Sequence, residues 1–422
     1  MARFDARTRS DDGGGGASAS LPWGVMVSRD GETKIGYISG PVDARVVHDS
    51  WRSGEPLDYF GTSYLLQFFD VADQMGLDLI VTTSAAQPRY DARRDGVHIM
   101  NRPRRAAGGL RYHLYEVAWL WGRVRETVAG GARIIVLTDA MFHWWALLPW
   151  RWRGVRFVNA LHCAILRPAA REPLTRRVLA RLLAWFHYRF ADPTLAASPL
   201  IVEQVKALSG GRIDATLFLP TYAPAQFASI PAPEVSSHGD FHVLFAGRVE
   251  RNKGVFDMLE ACRRLRDEGG RRIVFHICGE GTASAALRDE VVRSGMEDVF
   301  QLHGFCDRAA LTQRLSESDA VVVPTRSDFE EGFAMIVAEG VIARRPVVTS
   351  RVCPALELVP AAAVEVAPDD VAGYTAALRA LASDEGLYAG KVAATAGLRD
   401  AFFDEANGYG AKLRAVLRGL IG

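Results

Sequence analysis

The chain has 422 residues, too many for a single hydrophobic core, so its length favours two domains. Apolar residues make up 49% and charged residues 23%, and no apolar run reaches the roughly 18 residues that cross a bilayer, so the composition is that of a globular protein. The five cysteines are scattered without a CxxC pair, which argues against a disulfide framework or zinc site and is typical of a reducing cytoplasm. Residues 1–33 lack the apolar core of a signal peptide and are predicted to form a disordered tail.

The first half alternates short β-rich runs with helical apolar spacing, which indicates a parallel sheet covered on both faces. A strand is predicted at 34–39, followed by a long loop and by a helix at 58–76 that ends at a glycine. Further strands are predicted at 77–84, 132–139, 155–162, 193–198 and 215–220, and a basic helix at 171–191. Together these elements predict one α/β domain over residues 34–220.

A second α/β domain is predicted after a proline-rich stretch. Residues 221–240 contain Pro224, Pro231 and Pro233 and are predicted to be a linker. Strand–helix alternation then resumes over 241–395, and a helical segment at 396–422 is a candidate to return to the first domain. Ligand is expected where the carboxyl ends of the strands face a cleft.

Two cations follow the first strand of the second domain. The strand "VLFAG" leads into "RVERNKG", which places Arg248 and Lys253 in one short loop. Cations at the carboxyl end of a parallel strand suit a diphosphate, and the guanidinium fork of arginine matches phosphate oxygens. The alternative from spacing alone is a pair of solvated surface cations.

The stretch "EEGFAMIVAE" (330–339) places carboxylates at both ends of an apolar run. Gly332 permits close approach of a ligand to the backbone where a helix is predicted to begin, and the free N–H groups of a helix start favour an anion. Glu331 is predicted at the lip of the cleft. Glu339 lies two turns into an apolar helix, where a carboxylate needs a hydroxyl partner such as a ribose diol. The alternative is a pair of solvated glutamates.

These segments, in this order and spacing, resemble family-4 retaining glycosyltransferases, which depend on nucleotide sugars. The matching segments are "FAGRVERNKGVFDMLEA", "HICGEG", "LHGFC" and "VVVPTRSDFEEGFAMIVAEGVIARRPVVTS", which cover roughly residues 241–350. The resemblance implies the GT-B fold, with two Rossmann-like domains facing each other across a donor-binding cleft. The expected fold class is therefore α/β of GT-B type.

The resemblance also implies roles for single positions in the second domain. Arg248 and Lys253 match the cations on the donor diphosphate, and Glu331 and Glu339 match an E-x7-E motif whose first Glu lies near the donor sugar and whose second binds the ribose. The matching loop, whose amides face the sugar and phosphate, comprises Gly332, Phe333 and Ala334. Two departures stand out: Ala334 occupies a position that is usually glycine, and "LPTYAPAQF" lacks the usual Asn-Gly after its first proline.

Two positions in the first domain match the family as well. Gly61 in "YFGTS" matches a loop that covers the donor phosphates, although a glycine before a helix is common for structural reasons alone. His162 at the end of "VRFVNALH" matches a histidine beside the transferred sugar, and the alternative is a polar residue at a strand end. Glu331 and His162 are the candidate catalytic residues.

The expected function is transfer of a hexosyl-type sugar from a nucleoside diphosphate sugar to an acceptor hydroxyl, with retention, in envelope polysaccharide or glycolipid synthesis. The alternatives are a sugar-nucleotide epimerase or hydrolase on the same scaffold, or a non-catalytic nucleotide-sugar-binding protein. No D-x-D stands at a strand end, so neither a metal nor another cofactor is expected, and the cations and the helix start would balance the diphosphate charge.

Residues 89–190 contain 19 Arg and 6 acidic residues, a local charge of +13. Within this block residues 171–190 interleave arginine with aromatic and aliphatic side chains, which is typical of an anionic membrane surface contact; Arg176, Arg177 and Arg181 are predicted to make it. Nucleic acid is not an expected partner, because no recognition motif accompanies the charge. The expected location is the cytoplasm, peripheral to the inner face of the membrane. The alternative is that Trp144 and Trp145 pack on the sheet while the arginines are solvated.

Overall fold

A computed structural model of the chain describes residues 33–422 except 56, 58–62, 140, 168, 191 and 236–237. Within these ranges the first domain is built on a sheet of eight strands in the order β3-β4-β2-β1-β5-β6-β7-β8. The strands are β1 (Lys34–Ile38), β2 (Asp78–Thr83), β3 (Tyr90–Arg94), β4 (Val97–Asn101), β5 (Ile134–Leu137), β6 (Arg156–Leu161), β7 (Thr194–Ala196) and β8 (Thr216–Leu217). Among the described strands of this sheet, only β3 pairs antiparallel, with β4. The predicted parallel sheet is confirmed.

Six helices between residues 44 and 208 cover this sheet in the described part of the chain. They are α1 (Ala44–Ser53), α2 (Tyr64–Gln74), α3 (Gly109–Ala129), α4 (Leu148–Trp152), α5 (Leu174–Phe190) and α6 (Pro199–Leu208). The prediction of a long loop after β1 is wrong, because helix α1 lies there. Asp43 caps this helix by accepting a hydrogen bond from the Arg45 N–H. Trp144 is fully buried in the core, as the packing alternative predicted.

The second domain has an all-parallel sheet in the order β11-β10-β9-β12-β13-β14. Its strands are β9 (Phe241–Ala246), β10 (Ile273–Cys278), β11 (Phe300–Gly304), β12 (Ala320–Val323), β13 (Val347–Ser350) and β14 (Ala363–Val366). Its helices are α7 (Val255–Glu268), α8 (Ser284–Arg293), α9 (Arg308–Glu317), α10 (Met335–Ile342), α11 (Val371–Ser383) and α12 (Glu385–Phe403). The central strands are buried on both faces, as their apolar runs predict.

The last helix, α13 (Tyr409–Ile421), packs on the first domain. Tyr409, Leu413 and Leu417 join the core of that domain, and the Gly410 N–H donates to Gln67 Oε1 at 2.7 Å. Helix α12 runs unbroken through residue 395, so the chain leaves the second domain after this helix and not at 395.

Among the parallel strands that the structure describes, each sheet has one point where the strand order reverses direction. It lies between β1 and β5 in the first sheet and between β9 and β12 in the second. At such a point the loops that follow the two neighbouring strands run in opposite directions, which opens a crevice outside the carboxyl ends of the strands. Ligands of open α/β sheets bind in this crevice. The loops after β9 and β12 hold the predicted cations and the first glutamate.

Candidate active site

A cavity of about 620 Å³ lies between the two domains. The first domain contributes Tyr64, His162 and Cys163 to its wall. The second contributes the predicted positions Arg248, Lys253, Glu331, Gly332, Phe333, Ala334 and Glu339. Every predicted site residue in the described part of the chain therefore lines one cavity, whereas Gly61 lies outside the described residues.

Lys253 and Glu331 form an ion pair, with Lys253 Nζ 2.5 Å from Glu331 Oε2. The same carboxylate oxygen accepts a hydrogen bond from Thr325 Oγ1 at 2.9 Å. The pair forms because Gly254, with φ +75°, lets the loop after β9 approach the loop after β12: an added Cβ would lie 2.1 Å from the Pro324 carbonyl oxygen. The cation and the carboxylate are thus fixed at the cleft by backbone packing.

Arg248 is the more exposed of the two cations, with 61% of its side chain accessible to solvent against 14% for Lys253. Its guanidinium is 5.7 Å from the centre of the Phe329 ring, and Lys253 Nζ is 4.1 Å from that centre. Arg248 also pairs with Glu250 at 2.9 Å. Both cations therefore converge on one aromatic side chain, and an exposed ion pair such as that of Arg248 costs little to exchange for a phosphate.

The loop before α10 touches the first domain directly. An added Cβ on Gly332 would lie 1.8 Å from the carbonyl oxygen of His162, so glycine is required for this approach. Ala334 precedes the helix with φ +66°, the left-handed region in which alanine is strained. The departure from glycine noted at this position therefore has a conformational cost.

Glu339 is 5% exposed and lies on a helix whose residues from Ile336 to Ile342 are all buried. Tyr222 OH donates a hydrogen bond to Glu339 Oε1 at 3.2 Å. Burial raises the pKa of the Glu339 carboxyl to about 7, and the hydrogen bond from Tyr222 lowers it in part. A buried carboxylate of this kind accepts hydrogen bonds strongly once it is ionised.

His162 directly follows β6 and packs among aromatic rings. Its ring centre is 4.4 Å from that of Tyr64, 5.5 Å from Phe218 and 5.9 Å from Tyr409 of α13. Burial lowers the pKa of His162 to about 4, so the imidazole is neutral at pH 7. Its Nδ1 is buried and has no hydrogen-bond partner among the described residues, whereas other atoms of the residue line the cavity.

The glycine-rich stretch "CGEG" (278–281) brings two loops into close contact. A Cβ added at Gly279 would lie 1.8 Å from the Gly247 carbonyl oxygen, and one added at Gly281 would lie 2.4 Å from the Val249 carbonyl oxygen. The two loops after β9 and β10 thus lie in contact. In the described ranges, no group of three or more His, Cys, Asp or Glu is arranged to hold a metal ion.

Sequence reasoning missed two residues that bond the site carboxylates. Thr325 ends the strand run "VVVPT", and its place at a strand end was a usable signal. Tyr222 follows Pro220 in the stretch that lacks the usual Asn-Gly, and that departure was the signal for it.

Comparison with known proteins is concentrated on the second domain. Residues 227–394 match the family model for glycosyl transferases group 1. The chain is 32% identical over 146 residues to D-inositol 3-phosphate glycosyltransferase of Arthrobacter sp. (strain FB24), covering 33% of this chain and 32% of that protein. It is 34% identical over 149 residues to glycogen synthase of Mycobacterium tuberculosis (strain CDC 1551 / Oshkosh), covering 35% of each. The matched part thus spans about a third of these relatives.

The fold is similar over nearly the whole chain. Sucrose-phosphate synthase from Thermosynechococcus elongatus superposes with a TM-score of 0.66 at 16% identity, covering 92% of this chain and 99% of that one. The GT-B fold predicted from the sequence is confirmed by this similarity and by the two facing α/β domains.

Proposed function

We propose that this chain is a retaining, metal-independent glycosyltransferase that moves a hexosyl-type sugar from a nucleoside diphosphate sugar to an acceptor hydroxyl. The observation that carries the proposal is the meeting of Lys253, Glu331 and His162, from two domains, in one cavity with the buried Glu339. The match to the glycosyl transferases group 1 model over residues 227–394 supports it. The pathway we propose is envelope polysaccharide or glycolipid synthesis.

The second domain supplies the charges for a leaving diphosphate. Lys253 and Arg248 flank Phe329 at the carboxyl end of β9, and the amides of Gly332, Phe333 and Ala334 precede helix α10. Departure of a nucleoside diphosphate develops negative charge, which cations and helix N–H groups stabilise without a metal ion. Lys253 would exchange its bond to Glu331 for a phosphate oxygen.

The remaining residues fit hydroxyl groups. Glu331 would accept hydrogen bonds from the donor sugar, and Glu339 from the ribose. His162, held neutral by burial, would face a sugar hydroxyl from the opposite wall. Catalysis would then consist of positioning the two substrates and stabilising the diphosphate.

Calorimetric titration with a panel of UDP, GDP and ADP tests the donor site. Lys253→Ala and Arg248→Ala should each weaken binding of the preferred nucleotide more than tenfold, as loss of charge-assisted phosphate contacts predicts. Arg251→Ala is the matched control, because that guanidinium lies in the same loop but over the Phe256 ring, at 4.4 Å. Equal affinity in all three variants would refute the assignment.

Activity separates transfer from the alternatives. An epimerase or hydrolase would consume nucleotide sugar at full rate without an acceptor, and a non-catalytic binder would form no product with any acceptor. We expect rapid turnover only with an acceptor, an unchanged rate in excess EDTA, and a product whose anomeric proton coupling matches that of the donor. Inversion or loss of activity with EDTA would refute retention or metal independence.

We also propose that the enzyme works at an anionic membrane surface through α5. Leu174, Val178, Leu182 and Trp185 are 72%, 45%, 37% and 47% exposed and recur at helical spacing, so they form one apolar face. Exposed arginines border this face at positions 177 and 181, and neither takes part in an ion pair found within the described residues. Such a face suits shallow insertion beside anionic headgroups. In the described part of the chain, no helix has the length and hydrophobicity to cross a bilayer.

One arginine predicted to face the membrane does not. Arg176 has 16% of its side chain exposed and bonds Glu172, Glu330 and the Ile165 carbonyl oxygen. Through Glu330 it contacts the second domain, so its charge is already paired inside the protein. The prediction for this residue is therefore wrong.

Vesicle flotation tests this surface. Arg177→Glu/Arg181→Glu should abolish binding to vesicles of one part phosphatidylglycerol and three parts phosphatidylcholine at low salt. Arg288→Glu/Arg351→Glu, an equal charge change at exposed positions of the second domain, should leave it intact. Equal binding to pure phosphatidylcholine would refute the electrostatic contact, and no binding at low salt would refute the surface altogether.

A further inference from the structure

The hydroxyl of Tyr222 is placed where no family position predicts it. Tyr222 belongs to the segment between the domains, is 4% exposed and donates to Glu339 Oε1 across 117 positions of sequence. It stands in the stretch "LPTYAPAQF", which departs from the usual Asn-Gly. The resemblance to known glycosyltransferases therefore assigns no role to this hydroxyl.

The Tyr222 side chain is held rigidly. Its backbone N–H donates to the Phe402 carbonyl oxygen at 2.9 Å, and its ring packs edge-on against Phe227 at 5.6 Å. Because the backbone and the ring are both fixed, the hydroxyl points in one direction, towards the carboxylate of Glu339. Glu339 lines the cavity, whereas Tyr222 does not.

The carboxylate has few other contacts to orient it. In the part of the chain that the structure describes, Tyr222 supplies its side-chain hydrogen bond, and the flanking side chains of α10 are apolar. A carboxylate that rotates freely must lose that freedom when it binds a diol, whereas a fixed one has lost it already. A phenol donor also stabilises the ionised carboxylate over the neutral acid.

We infer that Tyr222 is a positioning residue for nucleotide binding: it holds one oxygen of Glu339, leaves the other to the ribose hydroxyls, and favours the ionised form of the group. The inference rests on the proposed function, because it takes Glu339 as the ribose ligand. It adds a residue of the interdomain segment to the donor site.

The test is Tyr222→Phe, which removes one oxygen atom and keeps the ring. The preferred nucleotide of the UDP, GDP and ADP panel is titrated calorimetrically between pH 6 and pH 9. The ratio of the variant and wild-type dissociation constants at each pH cancels the ionisation of the nucleotide itself. Loss of a hydrogen bond to an ionised group corresponds to roughly tenfold in an equilibrium constant, so we expect a ratio of about 10 near pH 7. The ratio should fall towards a small constant near pH 9, where Glu339 is ionised in both proteins.

Two controls separate positioning from folding. Tyr388→Phe removes a hydroxyl of similar burial that donates to the Asp319 carbonyl oxygen at 3.0 Å, away from Glu339, and should give a ratio near 1 throughout. Adding Tyr222→Phe to Glu339→Gln should leave a ratio that does not vary with pH. If the ratio of dissociation constants for Tyr222→Phe does not vary with pH in the otherwise wild-type protein, this inference is refuted and the proposed function is not. Failure of the wild-type chain to bind any of the three nucleotides refutes the proposed function as well.

Discussion

Replacing Glu339 by glutamine should make the second domain more stable at alkaline pH in the absence of ligand. Burial raises the pKa of this carboxyl from 4.5 to about 7. Glutamine keeps the shape and can still accept from Tyr222, but it cannot ionise. The substitution therefore removes the cost of a buried charge and leaves the packing of α10 intact.

The magnitude follows from linkage between proton binding and folding. Below pH 4.5 the carboxyl is protonated in both folded and unfolded chains, so the wild type and the variant should be alike. Between pH 4.5 and about 7 the folded chain keeps a proton that the unfolded chain has lost, so the free energy of unfolding of the wild type falls as the pH rises. A pKa raised from 4.5 to about 7 corresponds to roughly 3 kcal/mol, since one pH unit is worth about 1.36 kcal/mol.

Differential scanning calorimetry is the suitable assay. All nine tryptophans lie at or before residue 185, so intrinsic fluorescence would report the first domain and miss the second. The difference in unfolding free energy between Glu339→Gln and wild type should grow from near zero at about pH 4.5 to about 3 kcal/mol at about pH 8. Glu365→Gln, at an exposed position of β14, should show no such trend. A difference for Glu339→Gln that does not vary with pH would refute the reasoning.

Two further substitutions test the loop before α10. Ala334→Gly should stabilise the second domain by about 1 kcal/mol, because it relieves a left-handed alanine, whereas Ala338→Gly inside the helix should destabilise it by about the same amount. Calorimetric unfolding measures the stability of both variants. Equal losses of stability in Ala334→Gly and Ala338→Gly would show that Ala334 is not strained. Gly332→Ala should weaken nucleotide binding more than tenfold, because its Cβ would meet the His162 carbonyl oxygen at 1.8 Å. Gly397→Ala, at a helical position with open space around it, should bind nucleotide as the wild type does, and a normal affinity for Gly332→Ala would contradict the close approach of the two domains at this loop.

The sequence predicted the sheets well because buried parallel strands are nearly continuous apolar runs. It predicted the cavity wall for a related reason: residues at the carboxyl ends of adjacent parallel strands meet at one edge of the sheet. The hairpin β3–β4 escaped prediction because β3 reads "YDARR", which has no apolar alternation and is largely exposed. Helix α1 had a usable signal in the Asp43 cap, followed by the apolar pair Val46 and Val47.

Sequence patterns did not predict the contacts between residues distant in the chain. Lys253 pairs with Glu331 across 78 positions, and Tyr222 bonds Glu339 across 117. Helical spacing shows that arginines lie on α5, but not which face of the helix meets the second domain. The sequence therefore supported the residues of the site and their loops, whereas their hydrogen-bond partners depended on how distant segments of the chain pack together.

The ion pair between Arg176 and Glu330 joins the two domains beside the site, and its removal should weaken nucleotide binding without weakening either domain. Glu330 neighbours Glu331, and Arg176 lies on the helix proposed to touch the membrane. If the pair stabilises the closed cleft, Glu330→Gln lowers the closed fraction, and the apparent dissociation constant rises in proportion to that loss. A partly buried pair of this kind should be worth a few-fold in affinity.

Asp328→Asn is the control, because the Asp328 main-chain carbonyl oxygen accepts a hydrogen bond from Arg167 and the substitution keeps that oxygen. We expect a larger radius of gyration in solution scattering for Glu330→Gln, with unchanged unfolding temperatures. An unchanged radius and affinity would mean that the pair contributes nothing to closure.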